Sequence, residues 1–257
     1  MAAAEQYIAV FDSGVGGISV LRQLRKAMPG EKFLYFGDSA NAPYGSRPTC
    51  EVRKLSLDVA EKLVKSGIKA LVVACNTATA AAIETLREAY PDLIIVGIEP
   101  ALKPAADRFP GGCIGVLATE VTLREEKFRQ LASHHSGDCQ VVKLPAPGLM
   151  DLVEQGKGDS EEAEALLRSI LGPWIGKLDA LVLGCTHYPF AIPSIRRVLG
   201  ENVTLFDGGE GTARETKRRL AQKGLLRDAE GEVVWQNSLN DPKIIALSQK
   251  LLESESL

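Results

Sequence analysis

Ala70-Leu71-Val72-Val73-Ala74-Cys75-Asn76-Thr77-Ala78-Thr79-Ala80 begins as a short apolar run rich in Leu and Val, the pattern of a buried strand. It passes into Ala81-Ala82-Ile83-Glu84-Thr85-Leu86-Arg87, whose apolar residues fall at helical spacing. Cys75 is thereby predicted at a strand-to-helix corner. In an open α/β sheet such corners lie at the carboxyl ends of the strands, where ligands bind, and the helix start offers free N–H groups and a partial positive charge. A thiol there is expected to ionise more readily than a free one. Asn76 and Thr77 add an amide and a hydroxyl at the same cap.

The construction recurs. Asp179-Ala180-Leu181-Val182-Leu183-Gly184 reads as another buried strand, ends at Cys185-Thr186-His187-Tyr188, and Pro189 opens a segment, 190–199, that can be helical with Pro193 restricting its first turn. A lone cysteine is most simply a small buried apolar residue. Two at matching corners, each followed by hydroxyl or amide groups, point to chemistry. The same interval separates Asp12 from Cys75 and Thr122 from Cys185, which predicts an internal repeat.

The 257 residues suffice for one large or two small α/β domains, and the balance of 45% hydrophobic to 25% charged residues is that of a soluble globular protein. A net charge of −3 leaves no basic footprint for nucleic acid or an anionic membrane. No apolar stretch reaches the roughly 18 residues of a span, and residues 1–10 lack the charged and apolar regions of a signal peptide, so a cytoplasmic location is expected. The five cysteines, at 50, 75, 113, 139 and 185, form no Cys-x-x-Cys pair, and the histidines stand at 134, 135 and 187. That spacing writes neither a zinc site nor a disulfide framework, and Cys50, Cys113 and Cys139 read as structural.

A first strand, 7–11, ends in Asp12-Ser13-Gly14-Val15-Gly16-Gly17 before a helix at 18–28. The turn lacks the third fingerprint glycine, Ser19 standing near its place, and lacks a P-loop Gly-Lys-Ser/Thr; a small carboxylate suits it better than a dinucleotide. Asp12 would face that guest as proton handler or ammonium partner. Strand 33–36 leads to the polar loop 37–46, where Pro43 and Gly45 set an unusual backbone path. A helix at 50–65 precedes the Cys75 strand, and a strand at 92–98 follows its helix. Residues 99–104 read as a crossover to a second domain that opens with strand 113–117, and the hydroxyls of Thr119 and Thr122 stand like the donors of the first turn. Strands at 141–144, 203–206 and 232–236, and helices at 149–156, 161–171, 212–223 and from Pro242 with Asp241 as cap, complete the chain.

Two thiols on opposed strand ends suit removal of a proton from one side of a carbon and its return from the other: racemisation or epimerisation by two bases. A thiol pKa of about 8.5 needs only a modest shift to reach the operating pH. Ser13, Asn76, Thr77, Thr186 and backbone N–H groups could stabilise the carbanionic intermediate.

Phe11-Asp12-Ser13-Gly14-Val15-Gly16-Gly17, Tyr35-Phe36-Gly37-Asp38, Ala42-Pro43-Tyr44-Gly45, Cys75-Asn76-Thr77-Ala78 and Gly184-Cys185-Thr186-His187-Tyr188-Pro189 occur in this order. Together they closely resemble the glutamate racemases of the aspartate/glutamate racemase superfamily, over residues 8–216 and weakly through the tail. The resemblance implies two pseudo-symmetric open α/β domains with mainly parallel central sheets and an active site at their interface. We divide the chain into 1–98 plus 208–257 and 99–207. It also implies a cofactor-independent enzyme making D-glutamate for peptidoglycan. By motif match Cys75 would be the base acting on D-glutamate and Cys185 the base acting on L-glutamate. Asp12 and His187 would assist, with Asp38 and Glu154 as further acidic neighbours. Ser13, Pro43, Tyr44, Gly45, Asn76, Thr77, Thr119, Thr122 and Thr186 would join them in holding the substrate. L- and D-glutamate are the implied partners, and a homodimer is left open. Ala118-Thr119-Glu120-Val121-Thr122 and the following Leu123-Arg124-Glu125-Glu126 depart from the family's Gly-Thr-x-Gly/Ala-Thr and serine-containing stretch. Another amino-acid racemase, a cysteine hydrolase using Cys185 and a noncatalytic amino-acid-binding protein are the competing readings.

Overall fold

The computed structural model describes residues 5–135 and 139–254, less the side chains at 127, 131, 134 and 135. Residues 1–4 of the stretch read for a signal peptide, and the side chains of His134 and His135, lie outside it. The first half runs β1 (Ile8–Asp12), α1 (Ile18–Ala27), β2 (Lys32–Gly37), α2 (Thr49–Lys65), β3 (Ala70–Val73), α3 (Asn76–Ala89), β4 (Ile94–Gly97). The second runs α4 (Leu102–Arg108), β5 (Cys113–Ala118), α5 (Glu120–Arg124), α6 (Glu126–His135), β6 (Gln140–Pro145), α7 (Leu149–Glu154), α8 (Glu161–Leu171), β7 (Ala180–Leu183), α9 (Ile192–Leu199), β8 (Thr204–Asp207). The chain then closes with α10 (Gly209–Gln222), β9 (Glu232–Asn237) and α11 (Pro242–Glu253).

Two sheets result, in the orders β4-β3-β1-β2-β9 and β6-β5-β7-β8. Every strand pair is parallel. Parallel strands covered on both faces read as continuous apolar runs, which is why 70–73 and 180–183 show no alternation. On the first sheet Val10, Val72 and Tyr35 pack with Ile18 and Leu21 of α1 and with Leu220 of α10. Phe11, Leu71 and Val73 face Val59 of α2 and Leu86 of α3 on the other side. The second sheet is sandwiched likewise, between Leu149, Leu167 and Ile195 on one face and Leu102, Ala105 and Phe128 on the other. The fold is a two-domain α/β architecture, as expected. Among the described residues no helix is long and apolar enough to cross a membrane.

Read from the other edge, the second sheet runs β8-β7-β5-β6, the order β4-β3-β1-β2 of the first. Phe11 pairs with Val73 as Leu117 pairs with Leu183. The N–H groups of Ala74 and Gly184 donate to the carbonyls of Phe11 and Leu117 at 2.8 and 2.7 Å. Cys75 and Cys185 each follow one residue later, at equivalent corners. The repeat is therefore real, but the interval used to argue it is not the equivalent one: register matches Asp12 to Ala118, whereas Thr122 lies inside α5.

The 99–104 crossover leads directly into α4, and α5 and α6 occupy a region read only for its hydroxyls. The 190–199 segment begins one turn earlier, as a 3-10 turn over Tyr188–Ala191 that hands on to α9, with Pro193 in its first turn.

Candidate active site

Cys75 is the N-cap of α3, and its sulfur accepts the Ala78 N–H at 3.4 Å. The thiol in turn donates to Ser13 Oγ at 3.6 Å. Both partners belong to the first sheet and its helices. The expectation of an easily ionised thiol is corrected here. Burial is the largest influence and, with the nearby Asp12 carboxylate, pushes Cys75 up to about 12. The Ala78 N–H and the Ser13 hydroxyl pull the other way without prevailing, and Cys185 adds a smaller push upward. One hydrogen bond at a helix start does not replace the water lost by a thiolate.

Cys185 lies 3.7 Å from His187 Nδ1, and His187 Nε2 lies 2.7 Å from Glu154 Oε1. The same carboxylate oxygen accepts the Val15 N–H at 2.8 Å, across from the first domain. Burial opposes a proton on His187, but its hydrogen bonds with Cys185 and Glu154 hold it well above the ordinary histidine range. Burial likewise opposes ionisation of Glu154, yet His187 and the Val15 N–H bring its carboxyl below the usual value. The two shifts describe one imidazolium–carboxylate pair.

Asp12 is fully buried at the end of β1. It accepts the Gly14 N–H and, from the second domain, the Thr186 hydroxyl, each at 2.9 Å. Burial raises its carboxyl above the ordinary aspartate value; the charge of His187 and the two donors limit the rise. Two N–H groups of the turn after β1, those of Gly14 and Val15, are taken by the carboxylates of Asp12 and Glu154.

Three hydroxyls close the domain interface on another side. Thr77 Oγ1 lies 3.1 Å from Thr119 Oγ1 and 3.4 Å from Thr122 Oγ1, and Thr119 donates to Thr122 at 3.0 Å. Gly45 lets its loop approach them, since a Cβ there would stand 2.8 Å from Thr119 Cγ2. Asp38 and Tyr44 form a separate cluster. The Tyr44 hydroxyl donates to Asp38 at 2.6 Å, Asn41 Nδ2 adds a bond, and Pro43 precedes on a cis peptide. Asn76 is buried, and its Oδ1 has no hydrogen-bond partner among the described residues. It lines a cavity of about 30 Å³ together with Thr79, Thr122 and Phe128.

With this arrangement in view, the relatives are informative. Residues 16–216 match the Asp/Glu/Hydantoin racemase family. A glutamate racemase of Clostridium perfringens is 46% identical over 249 residues, 96% of each chain. The chain belongs to the glutamate racemases. It is an amino-acid racemase by that membership. The crystal structure of the Thermus thermophilus glutamate racemase, in complex with β-chloro-D-alanine, superposes with a TM-score of 0.81 at 37% identity, covering 96% of this chain and 93% of that one. The Escherichia coli glutamate racemase, in complex with L-glutamate and the activator UDP-MurNAc-Ala, gives 0.82 at 30% identity, covering 96% and 94%.

The structure gathers Asp12, Ser13, Cys75, Glu154, Cys185, Thr186 and His187 around the turn after β1 in three hydrogen-bonded sets, Cys75 with Ser13, Asp12 with Thr186, and Cys185 with His187 and Glu154, and brings Thr77, Thr119 and Thr122 together in a fourth. Three participants escaped the sequence reading. Ser19 shares its hydroxyl proton between the carbonyls of Gly16 and Thr186, each at 2.9 Å, so the residue near the missing third glycine is an interdomain fastener. The Tyr35 hydroxyl donates to the Gly14 carbonyl at 2.7 Å. Val15 acts through its backbone, which no side-chain pattern announces; a polar Ser19 and Tyr35 inside apolar patterns were the available signals.

Proposed function

We propose that the chain interconverts L- and D-glutamate by a two-base proton transfer at the α-carbon, with Cys75 and Cys185 on opposite sides. The observation that carries this reading is the pair of cysteines at equivalent corners of two repeated sheets, each beside its own polar partners. A substrate lying between the corners would meet one sulfur on each face of its α-carbon.

For D-glutamate, Cys75 removes the α-proton and the Cys185 thiol returns one from the far side; for L-glutamate the order reverses. Each sulfur leaves the cycle in the protonation state its partner had at the start, so return of the product to substrate resets the pair. A buried thiol held near 12 is a strong base once deprotonated. The substrate ammonium, placed beside Asp12, would supply the positive charge that makes such a thiolate accessible. Asn76 Oδ1, a buried acceptor with no donor among the described residues, is suited to an N–H of that ammonium. Asp38 supports the site through its grip on Tyr44 and the loop carrying Pro43 and Gly45.

We take 1–98 plus 208–257 and 99–207 as the domains, the enzyme as cytoplasmic, and its product as D-glutamate for peptidoglycan. The net charge of −3 supports a small-molecule partner over nucleic acid or a bilayer. The direct test is circular dichroism of L-glutamate incubated with purified protein, EDTA present and no cofactor added. The signal should decay to zero at an undiminished rate; loss of turnover with EDTA, or a stoichiometric absorbing cofactor in the preparation, would refute the proposal.

The hydroxyls of Thr77, Thr119 and Thr122 are suited to the side-chain carboxylate, and give the site a length preference. Aspartate, one methylene shorter, would leave some of these donors unpaired at about 1–3 kcal/mol per group. Thr119→Val and Thr122→Val should each lower kcat/KM for glutamate roughly tenfold to a hundredfold and narrow its lead over aspartate. An unchanged ratio of the two substrates in both variants would remove these residues from recognition.

A further inference from the structure

The glycines after β1 have a role that neither a nucleotide nor their own backbone explains. Gly14 and Gly16 are not among the glycines with positive φ, so the conformation of the turn does not demand them. Space does. A Cβ on Gly14 would stand 1.9 Å from Glu154 Oε1 and 2.9 Å from Glu154 Cδ. A Cβ on Gly16 would stand 2.3 Å from His187 Nδ1 and 2.6 Å from Thr186 Oγ1. The turn is a socket of the first domain into which side chains of the second are inserted.

The two thiols differ in what they need from that insertion. The partners of Cys75, Ser13 and Ala78, come from its own domain and are in place whatever the second domain does. Cys185 is served by His187, His187 by Glu154, and Glu154 is held by the Val15 N–H of the opposite domain. We propose that Gly14 and the Val15 N–H are positioning elements for the Cys185 half of the reaction, fastening Glu154 onto His187 only when the two domains are closed. Closure thus arms one thiol and not the other. The proposal rests on the two-base reading above.

Gly14→Ala tests it, because the clash falls on the end of a flexible, partly exposed glutamate at the last residue of α7, which can swing away. Gly16→Ala would instead strike the buried His187 ring. Chloride release from L- and D-configured β-chloroglutamate reads the two half-reactions separately, with Cys75→Ser and Cys185→Ser as controls. Gly14→Ala should lower elimination from the L-analogue roughly tenfold to a hundredfold, the range carried by a charge-assisted hydrogen bond, and leave the D-analogue unchanged. Glu154→Gln, which adds no Cβ to the turn, should give the same pattern, and the double variant should be no worse than the poorer single. The groups facing His187 are Glu154 from α7, Cys185 after β7 and Asp12 from β1; only Glu154 is displaced, so the His187 imidazole should titrate at lower pH by NMR in Gly14→Ala. Equal losses for both enantiomers, additive losses in the double variant, or an unmoved His187 titration would overturn the proposal. Control cysteine variants without opposite handedness would fell the two-base reading, and this proposal with it.

Discussion

Cys75→Ser and Cys185→Ser are each expected to lower racemisation by ~10³-fold or more, since in the proposed two-base reaction either direction needs one thiolate to take the proton and one thiol to return it. Serine preserves shape but is a far weaker acid, so its alkoxide is out of reach at neutral pH. The variants should differ in handedness. A β-chloro analogue of glutamate loses its α-proton and expels chloride without needing a second base, which isolates the first half of the cycle. Cys75→Ser should retain elimination from the L-configured analogue and Cys185→Ser from the D-configured one. Equal losses for both enantiomers in both variants would exclude two opposed bases; a clean reversal would keep the mechanism and exchange the roles.

Asp12→Asn should reduce kcat by about 10²–10⁴-fold while leaving the fold as stable or more so at pH 7. The activity loss follows from removing the carboxylate beside Cys75. The stability effect follows from the sign of the Asp12 shift: burial raises its carboxyl in the folded state, so ionisation above that value works against folding. Asparagine keeps the Gly14 N–H satisfied through its amide oxygen and can donate to the Thr186 hydroxyl. Any gain in Tm over the wild type should be present above the folded-state value, shrink as pH falls through it, and vanish below the ordinary aspartate range. A Tm lower than wild type at pH 7, with the gap closing in acid, would show that the charged Asp12 stabilises the fold and that burial does not dominate.

Much of the architecture was legible because parallel strands buried on both faces leave a local signature. The runs 70–73 and 180–183 declare themselves, as does α8, whose Ser160 side chain accepts the Ala163 N–H beneath three acidic residues in its first turn. Asp241 and Pro242 mark the start of α11 in the same way. Local pattern stops where the chain folds back on itself. Asp12 and Thr186 are 174 residues apart, and Val15 and Glu154 are 139 apart, so no window of sequence joins them. The thiol of Cys75 departs from its expectation for a related reason: its helix cap is a local fact, but its dehydration comes from its place in a buried cluster with Phe11, Tyr44 and Val59, residues distant in sequence. The equal spacing of Asp12–Cys75 and Thr122–Cys185 shows how a true repeat can be argued from a coincidence, which only strand register exposes.

The unlike surroundings of the two sulfurs carry a thermodynamic constraint. L- and D-glutamate are mirror images of equal free energy, so at equilibrium neither is favoured and the specificity constants of the forward and reverse reactions must be identical. Whatever Asp12 does for one sulfur and the Glu154–His187 pair for the other, no substitution among them can make the enzyme a one-way converter. A change on the Cys185 side must depress kcat/KM equally in both directions, leaving its imprint only in how each direction divides that loss between kcat and KM, or in reactions that never reach the second sulfur. Direction in the cell is then set by whatever consumes the product.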